Sequence, residues 1–481
     1  MSVLPKLTQR QVVVQITEHC NGSCPQCGMS IAHKTLRRVA ELPVMTAVVH
    51  RAAELQAQAI SFTGGEPFLH RPLLLYLLHE ARTVGIRYTR TGTNGFLFTR
   101  RDDPAFEARM HGLAEGLTSA GLRNLWISLD SADPDVHERQ RGLPGVVAGI
   151  EADLPVFAEH GLYPAANLAV NRHMGRRWLA PLAEVGEATF GAAAAQAARE
   201  FFARAIELGF TMANLCYPMD FPARHGNVDG PPGHDAPGRV VYAATSGDAS
   251  VSFTVTERAV LYRALATVVA EMRPRIRIFT PQSSLEALAR ENEQEAETGD
   301  RRRGRDSFAC RGGRDYFFVD VNGVAYPCGF RGDEPLGPFR LLDRARIGVD
   351  TDCRACDWEC FRDPSQLFGQ AYALHRPLVA LAHRRRDELF PLWLKDVRYA
   401  LACRLFDGRR PLEPQRLRRA CREPVAGGLP DPALTGGVRT DEATGATLGG
   451  ESRLAVSRFA WSDRARDSGH ADRREVAGTD G

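Results

Sequence analysis

The sequence predicts an α/β protein, a partial (β/α)6 barrel over residues 10–220 followed by a small C-terminal module rich in cysteine. Three observations carry that prediction. Short β-branched runs alternate with helix-like segments, those segments close on glycine, and the eleven cysteines are bunched rather than spread. The bunches are Cys20, Cys24 and Cys27, then Cys310, Cys328, Cys353, Cys356 and Cys360, with Cys216, Cys403 and Cys421 scattered.

The expected strands are "VVVQIT" (12–17), "AISFTGG" (59–65), "IRYTRTGTNG" (86–95), "LWISLD" (125–130), "AANLAVN" (165–171) and "FTMANLCYP" (210–218). Between them, stretches such as "PLLLYLLHEARTVG" and "AAQAAREFFARAIELG" repeat apolar residues at helical spacing and stop at glycine. Strand–helix alternation implies parallel strands, with functional groups at their C-terminal ends. Six units are fewer than the eight that close a barrel, so the barrel is partial.

Residues 221–305 are expected to hold a Gly- and Pro-rich lid, connecting helices and, over 289–306, a solvated charged connector. "DYFFVDVNGVAYPCGF" reads as a hairpin turning at Asn322–Gly323, within a module spanning 306–362. A basic helical extension is expected over 363–423 and a disordered tail over 424–481.

Bulk properties exclude little. The chain has 481 residues, 44% of them hydrophobic and 25% charged, and a net charge of +3 from 61 basic and 58 acidic residues. That near balance gives no reason to expect nucleic acid, and the basic runs starting at Arg301 and His383 are interleaved with acids as solvated faces would be. No apolar run approaches the roughly 20 residues that cross a bilayer, and the N-terminus lacks a signal-peptide pattern, so a cytoplasmic, membrane-free protein is expected. In a reducing compartment, clustered cysteines point to metal or redox chemistry. The histidines form no HExxH group, and no GxxxxGK[ST] loop is present.

Cys20, Cys24 and Cys27 form a CxxxCxxC loop directly after the first strand. Three thiolates fall short of the four ligands of a structural zinc, and His19, beside Cys20, is poorly placed as a fourth. A four-iron cubane with one iron left open accounts better for three. The loop resembles the signature of the radical S-adenosylmethionine (SAM) enzymes, in which the open iron binds the amino and carboxylate groups of SAM.

The resemblance extends over about 10–220. "FTGGEP" supplies Gly64, Gly65, Glu66 and Pro67, which match the family's GGEP motif beside the methionyl amine. The resemblance places Thr93, Asn94, Ser128 and Asp130 near the ribose and carboxylate of SAM, Arg141 near cofactor or substrate, and Asn167 and Asn171 on the adenosine side. Taken singly, each is as readily a cap of the following turn. Cys216 reads as a hydrogen-atom donor or a small buried hydrophobe, Cys403 as a buried thiol, and Tyr217 and Asp220 as pocket residues without a fixed role.

Cys310, Gly323 and Cys328, followed by "DCRACDWEC", resemble the SPASM or twitch extension that holds an auxiliary [4Fe-4S] cluster in many of these enzymes. One cysteine of the SPASM pattern is absent, so the twitch form fits better, with Cys310, Cys328, Cys353 and Cys356 as ligands and Cys360 as a substitute or bystander. The alternative is a structural zinc on the same thiols.

The function so implied is reductive cleavage of SAM to a 5′-deoxyadenosyl radical that abstracts hydrogen from a natural-product or cofactor precursor, with flavodoxin or ferredoxin as reductant. A peptide substrate, as in the maturation of ribosomal peptides, is the alternative. No leader-binding module of about eighty residues is expected before the first strand, which leans toward a small molecule or toward a separate peptide-binding partner. A non-catalytic iron–sulfur electron-transfer protein is the reading from another class.

Overall fold

The computed structural model describes residues 10–22, 24–25, 27, 37–218, 246, 248–300, 308–343, 353–354, 356–373 and 389–422. Asp220, the basic runs at Arg301 and His383, the tail from 424 and nearly all of the expected lid lie outside the described residues.

Alternation along each strand decides which side chains meet the helices. In β1 (Arg10–Thr17), Val12, Val14 and Ile16 join the helix-facing core, while Gln11, Val13 and Gln15 take the other face. β2 (Ala57–Gly64), β3 (Tyr88–Thr93), β4 (Asn124–Ser128), β5 (Ala165–Ala169) and β6 (Met212–Cys216) follow as parallel neighbours. All six expected strands are therefore present. The helices between them are α1 (Leu42–Glu54), α2 (Arg71–Thr83), α3 (Phe106–Ser119), α4 (Pro134–Arg141), α5 (Val146–Glu159), the short α6 (Leu182–Val185) and α7 (Glu187–Glu207). Their apolar stripes explain the packing: α2 buries Leu74, Leu77, Leu78 and Ala81, one helical face, against the sheet.

The second face of the strands is different. Ser61, Arg90, Trp126, Ser128, Asn167 and Cys216 each remain partly accessible on it, so the strands curve around an open, largely polar lumen.

The sheet runs further than six strands, in the order β10-β9-β8-β1-β2-β3-β4-β5-β6-β7. β7 (Arg277–Ile278) extends it beyond β6, after α8 (Val255–Met272). At the other edge, the expected hairpin supplies β8 (Tyr316–Val319) and β9 (Val324–Tyr326), with β10 (Gly337–Pro338) outermost. β8 pairs parallel with β1, Val13 opposite Phe318, so the cysteine-bearing hairpin is continuous with the barrel sheet. Backbone groups at the edge of β1 need partners, and this hairpin provides them.

The expected solvated connector is a correction. α9 (Gln282–Thr298) runs through most of its charged half, with Glu291 and Asn292 buried. Arg362, on α10 (Glu359–Ala373), donates to Glu291 at 2.5 Å. The run looked solvated because its counterion lies 71 residues away.

The basic extension also has a structural task. α11 (Phe390–Ala402) and α12 (Pro414–Cys421) are joined by a segment that crosses the N-terminal ends of the strands. Phe406 meets the rings of Tyr88 and Phe279 at 6.3 and 6.0 Å, and Phe279 meets Trp126 at 4.7 Å. The Tyr163 N–H donates to the Gly408 carbonyl at 2.8 Å, and Asp407 pairs with Arg123 at 3.1 Å. These contacts close the floor of the barrel. Cys403 is buried beside them, as expected of a plain thiol.

On α5, Asp153 is 1% exposed, and neither carboxylate oxygen has a hydrogen-bond partner among the described residues. Burial alone pushes its carboxyl from 3.8 up to about 7. A raised folded pKa means that stability is lost as pH climbs between those values. An Asp153→Asn variant is therefore expected to be more stable than the parent at pH 8 by a few kcal/mol, with about 2 kcal/mol less advantage at pH 5.5. Thermal unfolding at both pH values measures this, and equal shifts at the two would refute it.

Candidate active site

β1 ends at Thr17, and the chain turns directly into the loop bearing Cys20, Cys24 and Cys27. The loop is closed at its base: the Glu18 N–H donates to the Arg38 carbonyl at 2.8 Å, and the Arg38 guanidinium grips the Glu18 carboxylate at 2.6 and 2.5 Å. Inside it, a Cβ on Gly22 would lie 3.5 Å from the Cys24 sulfur and 3.6 Å from that of Cys20, so two thiols flank this glycine. The Gly22 N–H (3.3 Å) and Asn94 Nδ2 (3.8 Å) both point at the Cys20 sulfur. Burial pushes the Cys20 thiol above its ordinary value, with Glu66 and Cys24 adding to it. The donors oppose that shift by favouring the thiolate.

The GGEP turn lies against this loop, and its glycines have a reason the sequence did not show. A Cβ on Gly64 would sit 2.3 Å from the Thr17 carbonyl oxygen, and one on Gly65 would sit 2.2 Å from that of His19. The Gly65 and Glu66 N–H groups donate to those same two carbonyls, at 2.9 and 2.8 Å. The glycines thus let β2 close onto the cysteine loop, and the Gly65 N–H that was expected beside an amine is engaged there. The Glu66 carboxylate accepts from the Asn94 N–H at 2.6 Å and the Phe68 N–H at 3.1 Å. Burial nevertheless pushes it up to about 7. Pro67 is buried at the start of the following turn. Glu66 ties the second strand end to the third, where Thr93 accepts from the Gly95 N–H at 3.1 Å and Asn94 from the Phe96 N–H at 2.9 Å.

Asp130, just beyond β4, is fully buried and organises the next two strand ends. Its Oδ2 accepts from Arg141 Nε at 2.6 Å and its Oδ1 from the Ala169 N–H at 3.3 Å. His137 Nδ1 accepts the Asp130 N–H at 3.0 Å. Burial lowers the His137 pKa to about 4, so the ring is neutral with its proton on Nε2. Burial works against the Arg141 charge, but the Asp130 carboxylate, with Cys24 and Cys27 beyond, holds the guanidinium protonated. Arg141 therefore places a cation beside the cysteine loop. Asn171 is another matter: both its amide hydrogens go to the Asp130 and Ala169 carbonyls, at 2.8 and 2.7 Å, which leaves neither for an adenosine.

Further round the lumen, Asn167 Oδ1 accepts from Asn214 Nδ2 at 2.9 Å and from the Cys216 thiol at 3.3 Å. Ser128 pairs with Asn167 across β4 and β5. Cys216 is thus a hydrogen-bonded lumen residue rather than a packed hydrophobe. Tyr217 is committed to Asp363 on α10, at 2.8 Å.

Sequence reasoning gave no signal for Glu359, whose carboxylate lies at the lumen wall beside Cys216 and Cys360.

The second group of cysteines packs on the lumen face of β1 and β8. Val13, Tyr316, Phe318, Trp358 and Phe361 form its apolar bed. The Cys310 N–H donates to the Cys353 carbonyl at 2.9 Å, and the two residues form an antiparallel bridge. Burial pushes the Cys310 thiol to about 11 and that of Cys356 to about 12, with Cys353 adding to both, while Cys328 is raised by burial, Cys356 and Cys310. Cys360 packs against the same apolar bed, and after burial Glu359 and Cys216 act most strongly on its thiol. Asp357, next to Cys356, is held by the Tyr262 hydroxyl of α8 at 2.9 Å.

The donor sets fit iron–sulfur groups. Three thiols share one loop with hydrogen bonds aimed at one sulfur and a cation nearby, and five more gather on an apolar bed. Among the described residues, no three His, Cys, Asp or Glu side chains converge closely enough to hold a single metal ion. A cubane asks for a wider span, since each thiolate binds its own iron.

Residues 14–145 match the Radical SAM superfamily. The PqqA peptide cyclase of Gluconobacter oxydans (strain 621H) is 32% identical over 163 residues, covering 34% of this chain and 41% of the relative. The GTP 3′,8-cyclase of Tolumonas auensis is 32% identical over 144 residues, covering 29% and 39%. The chain thus spans about two fifths of the length of these curated relatives. Among solved structures, anSMEcpe with bound AdoMet and a peptide aligns with a TM-score of 0.45 at 15% identity, over 80% of this chain and 98% of that one. SuiB of Streptococcus suis bound to its precursor peptide gives 0.44 at 15% identity, over 73% and 68%. The sequence match covers the stretch from β1 to the helix that carries Arg141, where the three cysteines and their supporting strand ends lie. Over residues 14–145, then, the chain is similar to the radical SAM superfamily.

Proposed function

We propose that this protein is a radical SAM enzyme acting on a peptide. The observation that carries the chemistry is the convergence of the Cys20–Cys27 loop, the Glu66 turn and the Asp130–Arg141 pair at successive strand ends of one lumen. When bound there, a [4Fe-4S] cluster and SAM supply a one-electron cleavage that yields methionine and a 5′-deoxyadenosyl group able to take hydrogen from the substrate.

This chain's own residues do the rest. Cys20, Cys24 and Cys27 hold three irons, Asn94 and Gly22 donate toward the Cys20 sulfur, and Arg141 offsets negative charge beside the loop. Gly64, Gly65, Glu66 and Pro67 fix the turn against which the methionine moiety lies. Thr93, Asn94, Ser128, Asp130 and Asn167 line or brace its ribose and adenine side. Cys310, Cys328, Cys353 and Cys356 hold an auxiliary [4Fe-4S] cluster at the lumen wall.

The PqqA peptide cyclase likeness supports the peptide reading. The GTP 3′,8-cyclase likeness favours a small anionic molecule as the second reading. A small reducing protein such as flavodoxin or ferredoxin in the cytoplasm completes the proposal. Among the described residues, no helix is long and apolar enough to cross a membrane.

Anaerobic reconstitution followed by incubation with dithionite and SAM tests it. Formation of 5′-deoxyadenosine is expected, and its absence from protein loaded with about eight irons would overturn the enzymatic reading.

A further inference from the structure

Arg90 stands on the lumen face of β3, opposite Ser61 of β2. Its Nη1 donates to Gln11 Oε1 at 3.1 Å, and Gln11 is itself fixed by donating to the Cys360 carbonyl at 3.3 Å. Its Nε is buried without a partner, Nη2 has no hydrogen bond among the described residues, and the residue as a whole stays partly accessible. The ionisable groups that act on it are Cys360 and Tyr88, and neither is a carboxylate.

Other buried arginines in this chain are treated differently. Arg141 has Asp130, Arg172 has Glu257, Arg273 has Asp396 and Arg362 has Glu291. Arg277 lacks a carboxylate too, but it spends both terminal nitrogens on the carbonyls of Asp407 and Arg410, pinning the floor segment. Among these arginines, Arg90 alone has neither a carboxylate nor carbonyls for both terminal nitrogens among the described residues, and it stays partly accessible. The nearby floor is aromatic, built from Tyr88, Trp126, Phe279 and Phe406, so little else there solvates the charge. A planar fork of donors positioned by an amide, without a countercharge, is suited to an incoming oxyanion.

We propose that Arg90, oriented by Gln11, is an anion-binding subsite on the lumen floor that seats a carboxylate or phosphate group of the substrate. This rests on the lumen being the reaction chamber. It adds to that reading a charge for the substrate and an end at which that charge lies, opposite the cysteine loop. A carboxylate would belong to an acidic peptide side chain or terminus, and a phosphate to a nucleotide-like molecule.

The test is a titration of the full-length, cluster-reconstituted protein with propionate, inorganic phosphate and neutral propionamide. Ionic strength is held constant with chloride, and thermal midpoint and tryptophan fluorescence are followed. Propionate or phosphate is expected to give a saturable response that propionamide does not, and the more effective anion names the source. Arg90→Met, which keeps the bulk of the stem, is expected to weaken the response at least tenfold, and Arg90→Lys to retain part of it. An equal response to propionamide, no saturable response to either anion, or an unchanged response in Arg90→Met would overturn the proposal. Should Arg90→Met fail to fold, an Arg90→Lys response identical to the parent's would do the same. The titration reads binding and not 5′-deoxyadenosine, so its failure and that of SAM cleavage are distinguishable.

Discussion

A Cys24→Ala variant, reconstituted anaerobically with iron and sulfide, is expected to hold about four irons where the parent holds about eight, and to form no 5′-deoxyadenosine above background. Cys24 is 8% exposed and shares the loop around Gly22 with Cys20, so no nearby thiol is free to replace it. With two thiolates the loop no longer matches three irons, and the fourth loses its defined open position. The loop itself should persist, because the Glu18–Arg38 pair and the Thr17–Val39 bridge that close it do not involve Cys24. Iron content, visible absorbance and chromatography of the reaction measure the outcome. A variant that still cleaved SAM would remove the three-cysteine site.

The second large effect separates the later cysteines. Cys328→Ala is expected to lower iron by about four per chain while leaving 5′-deoxyadenosine formation in place, because the thiols that act on Cys328 are Cys356, Cys310 and Cys353 and not those of the Cys20–Cys27 loop. Cys360→Ala is expected to keep all of the iron. The difference follows from position. Cys328 has Cys356 and Cys310 as its strongest thiol neighbours, whereas Cys360 has Cys216 and sits beside Glu359 on the lumen wall. Turnover of a bound substrate should suffer in both variants, in the first through loss of the auxiliary cluster and in the second through the lumen wall. Loss of iron from Cys360→Ala would exchange its role with one of the other four.

Much of this site could be read along the chain because its parts are local. A thiol loop of eight residues and polar tips on apolar strands are short-range patterns, and the parallel sheet that aligns them follows from strand–helix alternation. What escaped reading depends on partners far apart in sequence. Glu291 reads as solvated because its partner Arg362 lies 71 residues away, and the basic extension shows no task along the chain because Phe406 and Gly408 meet strand ends remote in sequence. Gly65 illustrates the same limit within a correctly identified motif. Its lack of a side chain serves the close passage of the His19 carbonyl, a contact between two strand ends that no spacing displays.

By itself, then, the sequence determined the chemistry's first requirement: three thiols in one loop, at the end of the first of six parallel strands. Only the tertiary structure decided which side chains share the lumen. It committed Asn171 to backbone carbonyls, and it left Arg90 without a carboxylate partner among the described residues, above an aromatic floor. The physical reason is that a ligand loop closes through neighbours in sequence, whereas burial and charge compensation are settled by whatever the fold brings within a few ångströms.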